Sequence, residues 1–372
     1  MIDFKYIEEH CLDGLREQMQ QTPQDDKFHS EGDVFTHTEM VCAALDMSEC
    51  SEREIAELRI AAMMHDIGKI RTTQINGDDI TTPNHSIVGA RMAREILWKK
   101  FGLAGTREAL QFRETIVNLV RYHGLPVHAY EDELGRAKMH RAAMNKLLGA
   151  YDFTMDNLYR LAKADMNGRI CQDKDNALAA VELFKEMAEF DEILYNVILP
   201  VDMFNTHKFL NFKSGNCKHP AFFDDTQCEV IMLCGLPGTG KDTYIRKAFY
   251  KDWPMISLDE IRSELNIKPG SKNDGQVIQT AKHRAKMMLR LKRPFVWNAT
   301  NLTLQQRSQL VDLFETYKAR VFIDYLETTP EEQKRRNHNR DNVVPEETIN
   351  DMIGKLVLPE FFEAQYVSWN VV

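Results

Sequence analysis

Several features are absent from this chain, and each absence excludes a class of protein. The longest apolar stretches, such as Val230 to Cys234, fall far short of the ~20 residues that a membrane-spanning helix needs. The opening Met1-Ile2-Asp3-Phe4-Lys5 lacks a basic-then-apolar leader pattern, so a cytoplasmic location without a membrane partner is expected. Cysteines number 7, an odd count with no Cys-x-x-Cys pair, which fits reduced packing thiols and speaks against a disulfide framework or a zinc ribbon. An excess of positive charge is also missing. Lys and Arg total 47 against 56 Asp and Glu, a formal charge of −9, so the chain does not coat nucleic acid by bulk electrostatics and any grip on RNA or DNA must be local. No repeat or low-complexity tract is visible.

What is present suffices for two hydrophobic cores, since 372 residues exceed what one core usually organises. The first two hundred residues read as almost wholly helical. Apolar residues recur at three and four spacing in segments such as Glu54 to Met64, Thr115 to Tyr122 and Asn157 to Ala164, and no strand-like alternation interrupts them. From Phe204 to Gln227 the periodicity fades into Asn, Lys, Gly, His, Pro and Asp, which predicts a linker over 204–227 between domains at 1–203 and 228–372. Beyond it, short β-branched runs at Cys228 to Cys234, Pro294 to Trp297 and Arg320 to Tyr325 alternate with helical stretches, as in an α/β domain with a parallel sheet. The basic segment Gln276 to Arg293, with Lys282, Arg284, Lys286, Arg290, Lys292 and Arg293, reads first as the solvated face of an amphipathic helix, with nucleic-acid contact as the lesser alternative.

The segment Gly235-Leu236-Pro237-Gly238-Thr239-Gly240-Lys241-Asp242-Thr243 follows a predicted buried strand and opens a predicted helix, the setting of a phosphate-binding loop. Glycines let main-chain N–H groups turn toward a phosphate, and the helix start and Lys241 add positive potential. Asp242 stands where a Ser or Thr normally meets Mg²⁺; its carboxylate is also a hard oxygen ligand. Downstream, Asp259 follows the predicted strand around Met255-Ile256. Such an Asp alone is usually a helix N-cap, but beside a phosphate loop it reads as the acceptor of a proton from an attacking hydroxyl, with Arg262 one turn on as a phosphate clamp. Arg336 and Arg340, four apart on one helix face, read as a lid that neutralises a transferring phosphoryl group.

These residues resemble the P-loop polynucleotide kinase family from Cys228 to about Met352, through the loop, Ser257-x-Asp259-x-x-Arg262, Thr300-Asn301, and Arg336-Asn-x-x-Arg340 ahead of Val344-Pro345. The resemblance implies ATP or another NTP with Mg²⁺ held by Gly235, Gly238, Thr239, Gly240, Lys241, Asp242 and Thr243. It makes Asp259 the general base toward a 5′-hydroxyl and Arg262 the ligand of the adjoining phosphate, and places Arg336 and Arg340 on ATP. Asn301 belongs to the expected substrate site.

In the helical half, five segments offer metal-ligand side chains: His37, His65-Asp66, His85, His123 and Asp165. His123 shares a face with Ile116, Leu119 and Val120, Asp165 with Leu158 and Leu161, and His65 with Leu58 and Ala61. A carboxylate on an apolar face is costly unless paired or metal-bound, and several such groups on separate helices point to a cation. Mixed imidazole and carboxylate donors suit Mn, Fe, Co, Ni or Zn better than Mg alone. The pattern resembles the HD phosphohydrolase superfamily from Phe28 to about Arg169. By that likeness His37, His65, Asp66 and Asp165 hold one metal, while His85 and His123 complete a second site bridged by Asp66. Lys69 and His29 lie next to these ligands in sequence and are candidates to touch substrate phosphate, an ordinary loop contact being the commoner role for a residue placed as His29 is.

Together the halves resemble the HD-Pnk family of bifunctional RNA end-healing enzymes, with an all-α HD domain followed by an α/β kinase domain carrying a helical lid. The likeness implies removal of 2′,3′-cyclic or 2′/3′ phosphates by the first domain and phosphorylation of 5′-hydroxyl ends by the second. RNA or DNA ends would be the substrates, and a separate ligase would seal them. Two other readings stay open: a nucleoside or nucleotide kinase fused to an HD nucleotide phosphatase, and a kinase with a non-catalytic HD regulatory module.

Overall fold

Side-chain caps mark the start of several helices of the first half. Asp33 accepts from the N–H groups of Phe35 and Thr36 and starts the helix Val34–Ala44. Ser51 and Glu54 form a reciprocal capping box ahead of Glu52–Met64. Thr106 and Thr154 cap Arg107–Tyr122 and Met155–Asn167 by the same chemistry. The last three of these helices thus begin ahead of the segments read from apolar spacing, each at its capping residue.

The computed structural model describes residues 2–77, 79–130, 134–145, 153–196, 202–211, 222–268, 270–340 and 342–372. Its contacts divide the chain into two units, Met1–Leu199 and Pro200–Val372.

The first unit is helical, as expected, with one exception. Strands β1 (Gln74–Asn76) and β2 (Asp79–Thr81) form an antiparallel hairpin that the helical reading passed over. The pairing is three residues long and mostly exposed, so it left no alternating apolar signal. In the core, the helix His85–Lys99 packs on Arg107–Tyr122 around a buried ion cluster. Arg94 donates to both oxygens of Glu114 at 2.7–3.1 Å, and Arg113 Nε donates to Glu114 at 2.7 Å. Gly68 serves a close approach: a Cβ there would lie 2.0 Å from the His85 carbonyl oxygen. Only glycine lets the turn after His65-Asp66 rest against the start of the His85–Lys99 helix.

In the second unit, five strands make a parallel sheet ordered β4 (Met255–Ser257), β5 (Phe295–Asn298), β3 (Cys228–Cys234), β6 (Ala319–Glu327) and β7 (Tyr366–Val371). The middle strand β3 is buried along nearly its whole length, as a continuous apolar run in a covered parallel sheet requires. Strand β7 was not foreseen; Val367 and Trp369 are buried beside more open Ser368 and Asn370, an alternation too brief to read alone. The region expected as a linker starts with an ordered helix, Met203–Leu210. It is tied to this unit by His207 Nε2 at 2.8 Å from Glu315 and by Asn211 donating to Phe362 O at 2.7 Å. Residues 212–221 of the expected linker lie outside the described residues.

Candidate active sites in the two units

The helix ends of the first unit converge on one buried cluster. His37 projects from Val34–Ala44, and Asp165 from Met155–Asn167. His65 and His123 immediately follow Glu52–Met64 and Arg107–Tyr122, and His85 opens its own helix. All are buried except His85, which is partly open. His37 Nε2 lies 3.0 Å from Asp165 Oδ1 and 3.3 Å from His65 Nε2. His85 Nε2 and His123 Nε2 are 3.3 Å apart. Asp66 stands between the pairs, with Oδ2 3.3 Å from His65 and Oδ1 3.5 Å from His85. His37, His65 and Asp165 form one ligand group, and Asp66, His85 and His123 another.

Proton placement turns this proximity into a donor set. His65 Nδ1 lies 2.7 Å from Ala62 O, His123 Nδ1 2.8 Å from Val120 O, and His85 Nδ1 3.0 Å from Thr82 O. Carbonyl oxygens only accept, so each Nδ1 carries the proton and each neutral ring turns its Nε2 lone pair toward the shared centre. Lone pairs facing one another at these distances repel unless a cation or proton lies between them. Asp66 is the clearest sign: it is buried, and neither of its oxygens makes an aligned hydrogen bond, although the Lys69 ammonium lies 2.7 Å from Oδ2. This carboxylate, with Lys69 on Oδ2 and Oδ1 turned toward His85, and the converging nitrogens fit divalent transition metals, whose imidazole ligands hold their second N–H on carbonyls or carboxylates.

Electrostatics agrees. Burial lowers the His37 pKa, but hydrogen bonding to Asp165 and Glu31 outweighs it and raises the ring to about 9. The site therefore favours positive charge at His37 Nε2. Burial, reinforced by His65 and His85, drives His123 down to about 3 and keeps it neutral. Asp66 is held well below the usual carboxylate range: burial opposes ionisation, but Lys69, His65 and His85 prevail.

Three supporting residues escaped the sequence reading. Glu31 Oε1 lies 2.8 Å from both His29 Nδ1 and His37 Nδ1, while its Oε2 accepts from Ile170 N at 3.0 Å. Arg169 clamps Asp165 with bonds of 3.0 and 2.9 Å. Gln24 accepts from Lys69 Nζ at 2.6 Å. Arg169 follows Asp165 by one helical turn, a signal available in the sequence; Glu31 and Gln24 reach the cluster only through loop closure. Lys69 and His29, expected at a substrate phosphate, are both buried, with Lys69 Nζ 3.5 Å from His29 Nε2.

At the C-terminal edge of the sheet in the second unit, the loop after β3 enters the helix Lys241–Lys247. Gly240 has φ 92°, and a Cβ on it would sit 2.7 Å from Arg336 Nη1. Glycine there admits both the left-handed backbone and the Arg336 side chain. Arg336 donates to Thr239 O at 3.1 Å, and Gln333 of the same helix, Pro330–His338, donates to Pro237 O at 2.9 Å. Lys241 Nζ folds back onto Gly235 O at 3.0 Å and Leu236 O at 2.9 Å, and burial pushes its pKa down to about 8. Thr239 Oγ1 donates to Leu236 O at 2.9 Å, Asp242 Oδ1 accepts from Asn298 Nδ2 at 2.7 Å, and Thr243 Oγ1 accepts from Arg246 at 3.0 Å.

The cap of the helix Leu258–Leu265 is Ser257, whose Oγ accepts from Glu260 N. Asp259 is thereby free of the capping role. Its side chain is 71% exposed and is held by Arg262 at 3.1 Å and Arg340 at 3.3 Å, a carboxylate flanked by two guanidinium groups beside the phosphate loop. Asn301 is placed otherwise: it is buried, with φ 47°, and its amide donates to Leu233 O at 2.6 Å, so this group supports β3 instead of facing an acceptor.

Two family models match the chain, one in each unit. A gluconokinase from Sinorhizobium meliloti 1021 is similar at 17% identity over 38% of this chain and 82% of that one, with a TM-score of 0.28. Residues 33–158 match the HD domain family, and residues 230–359 match an AAA domain family. Among the described residues no helix is long and apolar enough to cross a membrane. The chain joins a helical unit that matches the HD domain family to an α/β unit that matches an AAA domain family and is built on a five-stranded parallel sheet.

Proposed function

We propose that this protein heals polynucleotide ends, its HD domain removing 2′,3′-cyclic or 2′/3′ phosphates and its P-loop domain moving the γ-phosphoryl of ATP to a 5′-hydroxyl. One observation carries the reading: Asp259, exposed and not needed as the helix cap, lies between Arg262 and Arg340 and within electrostatic reach of the loop's Lys241. A carboxylate so placed takes the proton of an attacking hydroxyl, and an arginine one turn away suits an acceptor with a phosphate next to that hydroxyl. A free nucleoside lacks that phosphate; a polynucleotide end has it.

In the kinase half, main-chain N–H groups at the start of Lys241–Lys247 and the Lys241 ammonium would hold the donor phosphates. Arg336 and Arg340 would offset charge on the moving phosphoryl group. Asp242, exposed beside Asn298, offers an oxygen toward Mg²⁺.

In the HD half, His37, His65, Asp66 and Asp165 would hold one transition metal, and Asp66, His85 and His123 a second. Bound metal supplies an acidified water and polarises the phosphoryl oxygens. Arg169 orients Asp165, Glu31 orients His37, and Lys69 offsets the charge of Asp66.

The test is incubation of the purified chain with an RNA bearing 5′-hydroxyl and 3′-phosphate ends, ATP, Mg²⁺ and Mn²⁺ or Ni²⁺, with both ends analysed. End healing yields a 5′-phosphate and a 3′-hydroxyl. Phosphorylation of nucleosides without oligonucleotides would replace this reading with a nucleotide-metabolism enzyme, and intact metal binding with no phosphate release would make the HD domain regulatory.

A further inference from the structure

The acidic residues of this chain are unevenly spread. Although Asp and Glu total 56, none occurs from Gly275 to Val311, while that stretch contains Lys282, Arg284, Lys286, Arg290, Lys292, Arg293 and Arg307. Two of these cations have carboxylate partners: Arg307 is buried against Glu363 at 2.5 Å, and Arg284 is held by Glu264. For the other five, no carboxylate lies within ion-pair distance among the described residues.

Their placement is ordered. Val277, Ala281, Ala285 and Leu289 form the buried stripe of the helix Asp274–Arg290. Lys282, Lys286 and Arg290 recur at four-residue spacing along one side of it, and Lys292 and Arg293 continue the charge past its end. Helix ion pairs are cheap to build, so a run of unpartnered cations in an acidic protein is a positive surface left for an external anion. The other end of the helix reaches the candidate kinase site, where Asp274 Oδ1 accepts from Arg262 Nε at 3.4 Å. Seventeen residues extend about 25 Å from there.

We propose that Lys282, Lys286 and Arg290, continued by Lys292 and Arg293, form a track for the phosphate backbone of a single-stranded polynucleotide whose 5′ end occupies the site at Asp259 and Arg262. The inference rests on the end-healing reading and deepens it, because it assigns a surface to the body of the substrate. It also resolves the charge difficulty: an acidic chain grips an acidic polymer through one local row.

The experiment uses the full chain and a fluorescent single-stranded RNA 12-mer with a 5′-hydroxyl, measured by anisotropy and by kinase assay at several salt concentrations. The triple variant Lys282→Gln, Lys286→Gln, Arg290→Gln is expected to bind the 12-mer at least tenfold more weakly. Its log-affinity slope against log salt should shrink by about 2, or ~0.7 for each lost phosphate contact. KM for the 12-mer should rise, while kcat and the KM for a nucleoside 3′-phosphate stay unchanged. Arg284→Gln, which removes a paired cation from the same helix, should do neither. Equal 12-mer binding by wild type and triple variant, or an equal loss in Arg284→Gln, overturns the track and leaves end healing standing. A wild-type protein that phosphorylates nucleosides but neither binds nor phosphorylates the 12-mer overturns both.

Discussion

His37 Nε2 and His65 Nε2 face each other at 3.3 Å inside the first unit. The rings come from helices packed side by side, and the Nδ1 atom of each is already committed outward, to Glu31 and to the Ala62 carbonyl. Two ring nitrogens turned inward so closely, with Asp165 and Asp66 beside them, make a donor set that fits a cation.

The two centres should fail independently. Asp259→Ala is expected to lower 5′ phosphorylation by about 10²–10⁴-fold, the usual scale of a general base, with phosphate release unchanged. His65→Ala and Asp66→Ala should abolish phosphate release and spare phosphorylation. Loss of both activities in a single, correctly folded variant would contradict separate sites.

Glu31 touches His37 from behind, so its removal should be felt at the cation site. Glu31→Gln is expected to weaken metal binding by about 10–100-fold, the range for a group that orients a ligand. Titration with Co²⁺ followed by absorbance reads this directly; unchanged affinity would reduce Glu31 to a loop anchor tying Ile170.

Asp242 shares a hydrogen bond with Asn298 at the phosphate loop. Asp242→Ala should raise the Mg²⁺ concentration for half-maximal phosphorylation by about 10–100-fold if this carboxylate holds the ion directly or through water. An unshifted Mg²⁺ curve removes Asp242 from the metal site.

Glu114 ties acid stability to the first unit. Burial raises its carboxyl pKa, but Arg94 and Arg113 outweigh burial and hold it below the ordinary 4.5. The unfolded chain takes up this proton near 4.5 and the folded unit only at lower pH, so the contribution is complete above that value and fades as pH falls beneath it. Glu114→Ala removes the carboxylate that two buried guanidinium groups share and should cost about 3–5 kcal/mol in denaturant unfolding at neutral pH. A loss below 1 kcal/mol, or acid unfolding unaltered by the substitution, would argue against the cluster.

The sequence alone determined the division into a helical half and an α/β half, the phosphate loop, and the histidines and carboxylates that meet in the first unit. These are local properties: apolar spacing places His123 and Asp165 on buried faces, and glycine spacing with a following lysine marks a tight turn between a strand and a helix. Tertiary structure decided which atoms face one another. Glu31 and Gln24 arrive through loops whose closure no periodicity encodes, Asn301 turns inward because β3 presents a carbonyl to its amide, and Ser257 takes the cap that leaves Asp259 free. Burial of a face follows from a few neighbours along the chain, whereas the direction of a lone pair follows from helix crossings and turns contributed by residues far away in sequence.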